Sequence, residues 1–418
     1  MSPLPRRQPQ DVSRPAGNAV DVDALQAASS ILQEVQERGL DGVRAAAVRL
    51  GDVDDTQPLV LRRPQLQDAL AQLDDDKRQL LLRVAQRIRR FAEAQRDALQ
   101  GFVVDIPGGQ CGATVCAVER AGCYAPGGRY PLPSSVLMTA VTARAAGVAE
   151  VWVASPRPTV ETLAAAAVAG ADGVLVVGGA QAIGAFAYGA GEVPACDVIV
   201  GPGNKFVTAA KKLVAGDVRI DMLAGPSELL VVADAGADAK RVAADLLAQA
   251  EHDPDAVPVL VSTSEPFVGE VERELLVQLE TLPTREVAVA ALQNGGAVVV
   301  DDLAAAAEVS NSFAPEHLSL HINDAKRAMP LFKSYGAVFV GSGAAEVLAD
   351  YGAGPNHVLP TGGTARSSGG LSAQTFLVSR SWLRIDDEGA GQHLVADAAE
   401  LGRIEGLEAH ARAAETRL

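Results

Sequence analysis

All six histidines of the chain lie in its last two fifths, and two of them directly follow a glutamate, at Glu251-His252 and Glu316-His317. Histidine titrates near physiological pH and is the commonest metal ligand in proteins. The clustering therefore predicts proton transfer, metal binding or both. The other four histidines are His321, His357, His393 and His410.

Gln249 and His252 stand three residues apart at the end of an amphipathic helical pattern, which the Asp253-Pro254 step should terminate. That spacing places both side chains on one helix face. A histidine at a helix C-terminus is also a favourable cap, and glutamine is not a usual zinc ligand. The pair alone leaves capping and metal binding open.

Glu316 and His317 put a carboxylate beside an imidazole, directly after Pro315. If the two residues begin a strand, their side chains face opposite ways and would work on different atoms. A surface ion pair is the alternative interpretation. The two residues alone leave an acid-base pair and a surface ion pair both open.

Two later segments combine an acid with a histidine. Asp350 and His357 lie in a glycine-rich loop, the kind of segment that commonly displays functional groups. Glu405 and His410 lie five residues apart on a predicted final helix, about 140° apart around its axis. They could therefore line one cavity without sharing a ligand atom.

Two glycine-rich turns follow predicted strands, at Gly178-Gly179-Ala180-Gln181 and Gly201-Pro202-Gly203-Asn204. Each turn would place backbone N–H groups at a helix N-terminus, where a phosphate can be held. Neither matches the dinucleotide pattern G-x-G-x-x-G with a downstream acid. Nucleotide binding and simple tight turns both stay open.

Composition excludes several classes of function. The net charge of -16 argues against non-specific binding to nucleic acid or anionic membranes, since both need clustered Lys and Arg. The four cysteines contain no CxxC and match neither a zinc knuckle nor a secreted disulfide framework. No signal-peptide core precedes residue 20, and Asp172 interrupts the apolar stretch 163–187. We predict idle thiols and a cytoplasmic location.

The elements that must position these residues fall into a helical entry and an alternating remainder. The pattern from Val22 to Gly101 predicts helices only, the last running from Asp74-Asp75-Asp76 to Gln100. After it, β-rich runs alternate with helical patterns, which indicates βαβ units and mostly parallel sheets. The predicted strands are 151–154, 173–177, 198–200, 229–233, 257–261, 297–300, 337–340 and 376–385, followed by a charged helix at 397–418.

Seven longer motifs join these segments. They are Tyr124-Ala125-Pro126-Gly127-Gly128, Gly178-Gly179-Ala180-Gln181-Ala182-Ile183, Gly201-Pro202-Gly203-Asn204, Ile220-Asp221-Met222-Leu223-Ala224-Gly225-Pro226-Ser227-Glu228, Gln249-Ala250-Glu251-His252, Ala314-Pro315-Glu316-His317-Leu318 and Gly354-Pro355-Asn356-His357-Val358-Leu359-Pro360-Thr361. In type and order they resemble the histidinol dehydrogenase family, over about residues 22–418. The resemblance implies a zinc-dependent, NAD-linked homodimer that oxidises L-histidinol to L-histidine through L-histidinal, in two hydride transfers.

Residue roles follow from the resemblance by position. It implies that His317 takes the hydroxyl proton in both oxidations, and that Glu316 deprotonates the water that adds to the aldehyde. One zinc ion per subunit would be held by ligands that also meet the substrate: Gln249, His252, Asp350 and, from the partner chain on an exchanged tail, His410. The remaining implied contacts are with substrate, from Ser227, His357 and Glu405, and with NAD, from Tyr124, Gln181 and Asn204.

The fold class expected is α/β, with two doubly wound Rossmann-like domains on parallel sheets, a helical N-terminal segment and a swapped C-terminal helical tail. Residues 25–123 and 229–371 would form the domain that carries the zinc and catalytic residues, and 124–228 the NAD-facing domain. Residues 1–24 would form an N-terminal tail and helix start, and 372–418 a dimerisation tail.

Departures from the family pattern leave the substrate open. Arg129-Tyr130 stands where smaller, less charged residues are expected, and Ser367 where the family often has Phe. A related enzyme that oxidises a sulfonated propanediol is the alternative, with Arg129 meeting the sulfonate. The presence of Ser227, His357 and Glu405 favours histidinol as the substrate. All positions implied for zinc ligands and for bases hold residues able to fill those roles, which argues against a non-catalytic NAD sensor. His321 and His393 match nothing and are predicted to be structural.

Overall fold

The computed structural model describes residues 3–12, 21–127 and 131–417. Arg129 and Tyr130, on which the alternative substrate depends, lie outside the described residues. The helices are α1 (Val22–Arg38), α2 (Leu40–Leu50), α3 (Arg63–Gln72), α4 (Asp75–Asp97), α5 (Pro133–Val136), α6 (Thr142–Ala146), α7 (Val160–Ala169), α8 (Gly179–Tyr188), α9 (Lys205–Val214), α10 (Ala239–Ala250), α11 (Glu265–Leu279), α12 (Arg285–Asn294), α13 (Leu303–Phe313), α14 (Ala325–Ala328), α15 (Glu346–Asp350), α16 (Gln392–Ile404) and α17 (Glu408–Glu415). A π-helical turn, Leu137–Val141, joins α5 to α6.

Within the described ranges, the strands form three sheets. They are β1 (Val60–Arg62), β2 (Phe102–Ile106), β3 (Gly109–Ala117), β4 (Arg120–Tyr124), β5 (Glu150–Ala154), β6 (Gly173–Leu175), β7 (Val198–Val200), β8 (Arg219–Ile220), β9 (Glu228–Ala233), β10 (Val257–Ser262), β11 (Gly296–Val299), β12 (His317–His321), β13 (Ala337–Val340) and β14 (Leu377–Ile385). β7 and β13 have the predicted bounds, and the other predicted strands differ by one or two residues at an end.

The first sheet has six strands in the order β1-β6-β5-β4-β7-β8, and only β1 runs antiparallel. Starting from β4, the chain adds β5 and then β6 on one side, and afterwards adds β7 and β8 on the other side of β4. The order in which strands are added therefore reverses between β4 and β7. In doubly wound sheets a ligand binds at this switch, outside the carboxyl ends of the strands.

The second sheet has five parallel strands in the order β11-β10-β9-β12-β13. β9, β10 and β12 are buried along their whole length, as expected of parallel strands covered by helices on both faces. Its direction switches between β9 and β12. These two sheets confirm the predicted α/β class with parallel strands.

The third sheet is antiparallel, in the order β14-β3-β2, and β14 pairs with β3 from Leu377 to Ile385. The sequence predicted β14 but missed the β2–β3 pair. The predicted single helix at 397–418 was also wrong, because Gly406 adopts φ +75° and separates α16 from α17. That left-handed conformation suits glycine and ends a helix.

The helical entry segment contains one strand that the sequence did not predict. β1 is only three residues long, too short for a periodic pattern, and it pairs with β6 of the first sheet. α1 packs against α8 and α9 on that sheet. This packing differs from the predicted grouping of 25–123 with 229–371, and the domain limits themselves stay a prediction. In the part of the chain that the structure describes, no helix combines the length and apolarity of a membrane span.

Candidate active site

A cavity of about 170 Å³ is lined by residues that belong to, or directly flank, strands of both large sheets. The first sheet contributes Pro126 and Pro202, from the loops after the carboxyl ends of β4 and β7. The second sheet contributes residues at the amino ends of β9 and β12, among them Ser227 and His317. The cavity therefore adjoins the switch points of both sheets. Its lining is completed by Leu132, Ser134, Ser135, Gln249, His252, Glu316, Asp350, Tyr351 and His357.

Helix α10 brings Gln249 to the cavity. The Asp238 side chain caps the helix by accepting from the N–H groups of Lys240 and Arg241, and apolar residues such as Leu246 bury the inner face. Gln249 is 1% exposed, and neither its amide oxygen nor its amide nitrogen has a hydrogen-bond partner among the described residues. Leaving a buried polar group unsatisfied costs about 1–3 kcal/mol. The amide is therefore suited to binding a group from outside the chain.

His252 follows the end of α10, where its N–H donates to the Gln249 carbonyl oxygen at 3.4 Å. The surrounding protein desolvates the imidazole and lowers its pKa, while the neighbouring carboxylates of Glu251 and Asp253 act in the opposite direction. A lowered pKa favours the neutral imidazole, which is the form that binds metals. The predicted pair Gln249 and His252 thus lines one cavity.

His317 begins β12 and is buried at the cavity wall. Its Nδ1 lies 3.1 Å from the Glu228 carbonyl oxygen, so this nitrogen carries the proton and donates. Nε2 then presents a lone pair, and it has no hydrogen-bond partner among the described residues. Burial lowers the pKa of His317 to about 4, and the nearby imidazoles of His252 and His357 add to the effect.

Two further contacts fix the His317 ring. The ring stacks on Phe339, with centroids 6.0 Å apart and an interplanar angle of 23°. On its free side, Nε2 lies 3.9 Å from Asp350 Oδ1. The neutral imidazole therefore has one nitrogen fixed by the backbone and the other directed at a carboxylate across the cavity.

Glu316 directly precedes β12, so it lies outside the strand, where successive side chains would point to opposite faces. Both Glu316 and His317 therefore line the cavity. Its Oε2 accepts from the Glu228 N–H at 2.9 Å. Burial raises the pKa of Glu316 well above its ordinary value; that hydrogen bond opposes the rise, and the carboxylates of Glu228 and Asp350 add to it. The carboxyl group is thus a stronger base than usual when ionised.

Asp350 ends α15, and burial raises its pKa to about 7. His357 lies beside it, with Nδ1 3.0 Å from the Asp350 carbonyl oxygen and Nε2 3.4 Å from Ser135 Oγ. Burial lowers the pKa of His357 to about 4, which keeps the imidazole neutral at neutral pH. Asp350 and His357 therefore both line the cavity, although Asp350 is the last residue of a helix and not part of a loop as predicted.

Glu405 and His410 do not line the cavity of their own chain. Glu405 directly follows α16 and His410 lies in α17, and both side chains are exposed. They are not on one helix, so the angle of about 140° expected between them does not apply. Among the described residues, no three His, Cys, Asp or Glu side chains are grouped so that they could hold a metal ion. One chain brings together Gln249, His252 and Asp350 of the predicted set.

The residues assigned to NAD lie at the carboxyl edge of the first sheet. The Tyr124 hydroxyl accepts from the Gly179 N–H at 3.2 Å, and burial raises its pKa to about 12. Gln181 is buried, and its Oε1 has no partner among the described residues. Asn204 Oδ1 caps α9 by accepting from the N–H groups of Phe206 and Val207.

The glycine turns offer fewer free donors than the sequence suggested. The Gly178 N–H donates to Asp52 Oδ2 at 2.9 Å, and the Gly201 N–H donates to Asp221 Oδ2 at 2.7 Å. Asp221 also forms a buried ion pair with Lys211. The N–H groups that the sequence pattern suggested could bind a phosphate are thus already hydrogen-bonded to carboxylates of the protein.

Sequence reasoning missed several residues of this region. Ser135 lies in the short helix α5, and Glu228 drew attention only as the end of a motif. Asp52, remote in sequence from the turn it caps, had no local signal. His321 Nε2 lies within hydrogen-bond distance of Asp245 Oδ2, at 2.9 Å, and His393 is exposed in α16. All four cysteines are free thiols, as predicted.

Comparison with known proteins agrees with the motifs. The family model described as histidinol dehydrogenase matches residues 14–418. The histidinol dehydrogenase of Thermus thermophilus is 45% identical over 403 residues, covering 96% of this chain and 96% of its own length. That of Nitrosomonas europaea is 41% identical, covering 96% and 94%. The crystal structure of histidinol dehydrogenase from Elizabethkingia anophelis matches with a TM-score of 0.93 at 29% identity, covering 100% and 98%. The chain belongs to the histidinol dehydrogenase family.

Proposed function

We propose that this protein oxidises L-histidinol to L-histidine through bound L-histidinal, the last two steps of histidine biosynthesis. The observation that carries the proposal is the single cavity of about 170 Å³ that collects Gln249, His252, Glu316, His317 and Asp350 from distant parts of the chain. NAD⁺ supplies the hydride acceptor for both oxidations. The carbon that bears the hydroxyl group therefore loses four electrons in one site.

His317 takes the hydroxyl proton in the first oxidation. Its Nδ1–H is held by the Glu228 carbonyl oxygen, so the lone pair of Nε2 faces the cavity. A pKa of about 4 makes this imidazole a weak base, but the Asp350 carboxylate 3.9 Å from Nε2 stabilises the imidazolium as it forms. General base catalysis of this kind contributes roughly 10²–10⁴ in rate.

Glu316 acts between the two oxidations, when the aldehyde must take up water. Its raised pKa makes the ionised carboxylate a stronger base toward that water. The hydrate that forms still carries a hydroxyl proton, which His317 removes in the second oxidation. Because one small cavity serves all steps, the aldehyde stays bound rather than leaving as a reactive product.

The donors of this chain fit a zinc ion. The unpartnered amide of buried Gln249 faces the same cavity as His252 and Asp350, and the lowered pKa of His252 favours the neutral ligand form. These three residues and the partner subunit's His410 would hold one ion per subunit. Bound there, zinc would orient the amino and imidazole nitrogens of the substrate, with any Lewis-acid effect secondary.

The substrate and NAD contacts rest on position in the fold. Ser227 and His357 line the cavity and would contact the substrate, as would Glu405 from the partner tail. Tyr124 keeps a hydroxyl proton to donate, and Gln181 has a free acceptor in Oε1. Asn204 lies at the start of α9, close to the switch between β4 and β7.

A homodimer with exchanged C-terminal tails would complete the site. The exposed positions of Glu405 and His410 support this arrangement, because neither has a role within its own chain's cavity. Exposed apolar side chains on the tail, Leu401 and Ile404, support a covered surface there. A cytoplasmic location stays a prediction.

A sulfonated propanediol is not favoured as the substrate, because the relatives that match most of the chain are named histidinol dehydrogenases. The test is to compare the two alcohols at equal concentration with NAD⁺ and to follow NADH by absorbance. Histidinol should be oxidised, and a chelator should abolish the rate. Turnover of the sulfonated diol alone, or inertness toward both, would contradict the proposal.

A further inference from the structure

A buried ion pair contacts the turn that follows β7. Lys211 of α9 pairs with Asp221, which directly follows β8, and their side chains are only 3% and 0% exposed. No step of the proposed mechanism uses either charge. Burying two charges carries a large desolvation cost, and an apolar pair of similar volume is often equally stable or more so. A role in geometry therefore accounts for this pair better than a role in stability.

The ion pair holds both backbone groups of Gly201. Lys211 Nζ donates to the Gly201 carbonyl oxygen at 2.9 Å, and Asp221 Oδ2 accepts from the Gly201 N–H at 2.7 Å. Asp221 Oδ1 contacts Lys211 Nζ and also accepts from the Met222 N–H at 2.6 Å. Hydrogen bonds to charged groups are roughly twice as strong as those between neutral groups. Two opposite charges thus fix one residue of the turn through its N–H and its carbonyl oxygen.

Gly201 lies at the edge of the active site. Its φ of +113° is in the region that favours glycine, and a Cβ at this position would collide with the Tyr124 carbonyl oxygen at the end of β4. Pro202, the next residue, lines the active-site cavity, and Asn204, two residues further on, is proposed to contact NAD. The ion pair therefore sets the position of the wall that the first sheet contributes to the cavity.

Asp221 also begins the segment that joins the two large sheets. Residues 221–227 connect β8 of the first sheet to β9 of the second and end at Ser227, which lines the cavity. The Thr208 hydroxyl of α9 donates to the Ala224 carbonyl oxygen at 3.1 Å, so the segment is held against the same helix that carries the lysine of the pair. The ion pair is thus a common anchor for the cavity walls that the two sheets contribute.

We propose that Lys211 and Asp221 are positioning residues for hydride transfer, because their ion pair fixes the hydride acceptor on one wall relative to the substrate on the other. This inference rests on the proposed function, since it needs NAD⁺ and an alcohol to meet across the cavity. A misplacement of reacting groups by about 1 Å costs roughly 10² in rate. Both oxidations use the same two walls, so loss of the pair should slow both by the same factor.

The test measures NADH formation in a single turnover of the zinc-loaded protein, started from histidinol or from histidinal. Histidinol deuterated at the carbon that bears the hydroxyl group gives the isotope effect on hydride transfer. The variants are Lys211→Met, Asp221→Asn and the double variant Lys211→Met/Asp221→Asn. Asparagine keeps an acceptor for the Gly201 N–H, and methionine adapts to the space of the lysine stem. Lys212→Met, at the exposed next position of α9, is the matched control.

The double variant should be about as stable to denaturant as the wild type, since neither charge is left unpaired. Its hydride transfer should be roughly tenfold to hundredfold slower in both oxidations, while its Kd for histidinol stays that of the wild type. The isotope effect on its steady-state turnover should equal that on its single-turnover rate, because hydride transfer becomes the slow step. Lys212→Met should match the wild type in each measurement.

A hydride-transfer rate equal to that of the wild type in the folded double variant would overturn the inference, and so would a loss confined to histidinol binding. If the double variant does not fold, the same comparison on whichever of Lys211→Met and Asp221→Asn folds decides the question, and an unchanged rate there would overturn the inference equally. A wild-type protein that forms no NADH from histidinol would instead overturn the proposed function.

Discussion

Glu228 and Glu316 form reciprocal hydrogen bonds, in which the backbone N–H of each residue donates to the side-chain carboxylate of the other. The Glu228 N–H donates to Glu316 Oε2 at 2.9 Å, and the Glu316 N–H donates to Glu228 Oε2 at 3.4 Å. Glu228 begins β9 and Glu316 directly precedes β12, so the exchange joins the two strands that flank the switch point of the second sheet. Glu228 Oε1 also accepts from the Gly362 N–H at 2.9 Å. The proposed base is therefore positioned by a second carboxylate, and the charge of that carboxylate adds to the rise in the Glu316 pKa that burial causes.

The substitution Glu228→Gln should move the acid limb of aldehyde oxidation to lower pH. Burial is the largest cause of the raised pKa of Glu316, and the charge of Glu228 adds to it. The introduced amide oxygen would keep an acceptor for the Gly362 N–H, the shorter of the two hydrogen bonds, and lose the one from the Glu316 N–H. Because the amide carries no charge, Glu316 would ionise at lower pH. The measurement is kcat/KM for histidinal against pH. Oxidation of histidinol should shift less, because only the backbone of Glu228 acts on His317. A shift to higher pH would show that the charge of Glu228 does not raise the pKa of Glu316.

His317→Asn should slow both oxidations, by roughly 10²–10⁴ each, since the same nitrogen is the base in both. Glu316→Gln should chiefly slow the aldehyde step, because the alcohol step needs no added water. Each variant would be assayed separately with histidinol and with histidinal under single-turnover conditions. An equal loss in the two half-reactions of Glu316→Gln would refute this division of roles.

The strands and the site differ in how well the sequence predicted them. β7 and β13 were predicted to the residue because each is a short apolar run bounded by glycine or polar residues. β1 and β12 were not among the predicted strands. β1 has only three residues, and β12 begins and ends with a histidine, so its sequence does not read as a buried apolar run. Local periodicity identifies a strand only when the chain supplies enough residues to show it.

The geometry of the site could not be derived from spacing alone. Gln249 and His252 share a helix end, but their distance from Asp350 depends on the order of strands in the second sheet. The hydrogen bond from the Gly178 N–H to Asp52 joins residues 126 positions apart, and no local sequence pattern predicts it. Tertiary contacts of this kind depend on the topology of the fold. The topology was inferred from the resemblance to the family and could not be inferred from composition.

Co-expression of two inactive chains tests the exchanged tail. His252→Ala removes a ligand from the body of one chain, and His410→Ala removes one from the tail of the other. If tails are exchanged, each heterodimer contains one intact site, and a statistical mixture should recover about a quarter of wild-type activity. Two His252→Ala chains, as the matched control, should recover none. Absence of rescue in purified heterodimers would show that each site forms within one chain.

Glu346→Gln should stabilise the fold at high pH and not near pH 4.5. Glu346 is buried, and neither carboxyl oxygen has a partner among the described residues. Burial raises its pKa well above the ordinary value, and the carboxylates of Asp350, Asp245 and Glu316 add to the rise.

The sign follows from linkage: the unfolded chain ionises this group more readily, so stability is lost as pH rises from the unfolded pKa toward the folded one. Glutamine stays neutral and avoids that loss, by about 1.4 kcal/mol for each unit of pKa difference. Unfolding midpoints of both proteins would be compared from pH 5 to pH 8, with exposed Glu308→Gln as control. A difference that is constant with pH would contradict the assignment.

In the proposed mechanism, one cavity performs two successive oxidations on a substrate that does not leave. The most direct measurement is the amount of NADH formed per histidinol consumed at limiting histidinol, with a carbonyl-trapping reagent in solution. The proposed mechanism predicts two NADH per histidinol, L-histidine as the product and no trapped aldehyde. One NADH per histidinol, with histidinal recovered in the trap, would contradict it.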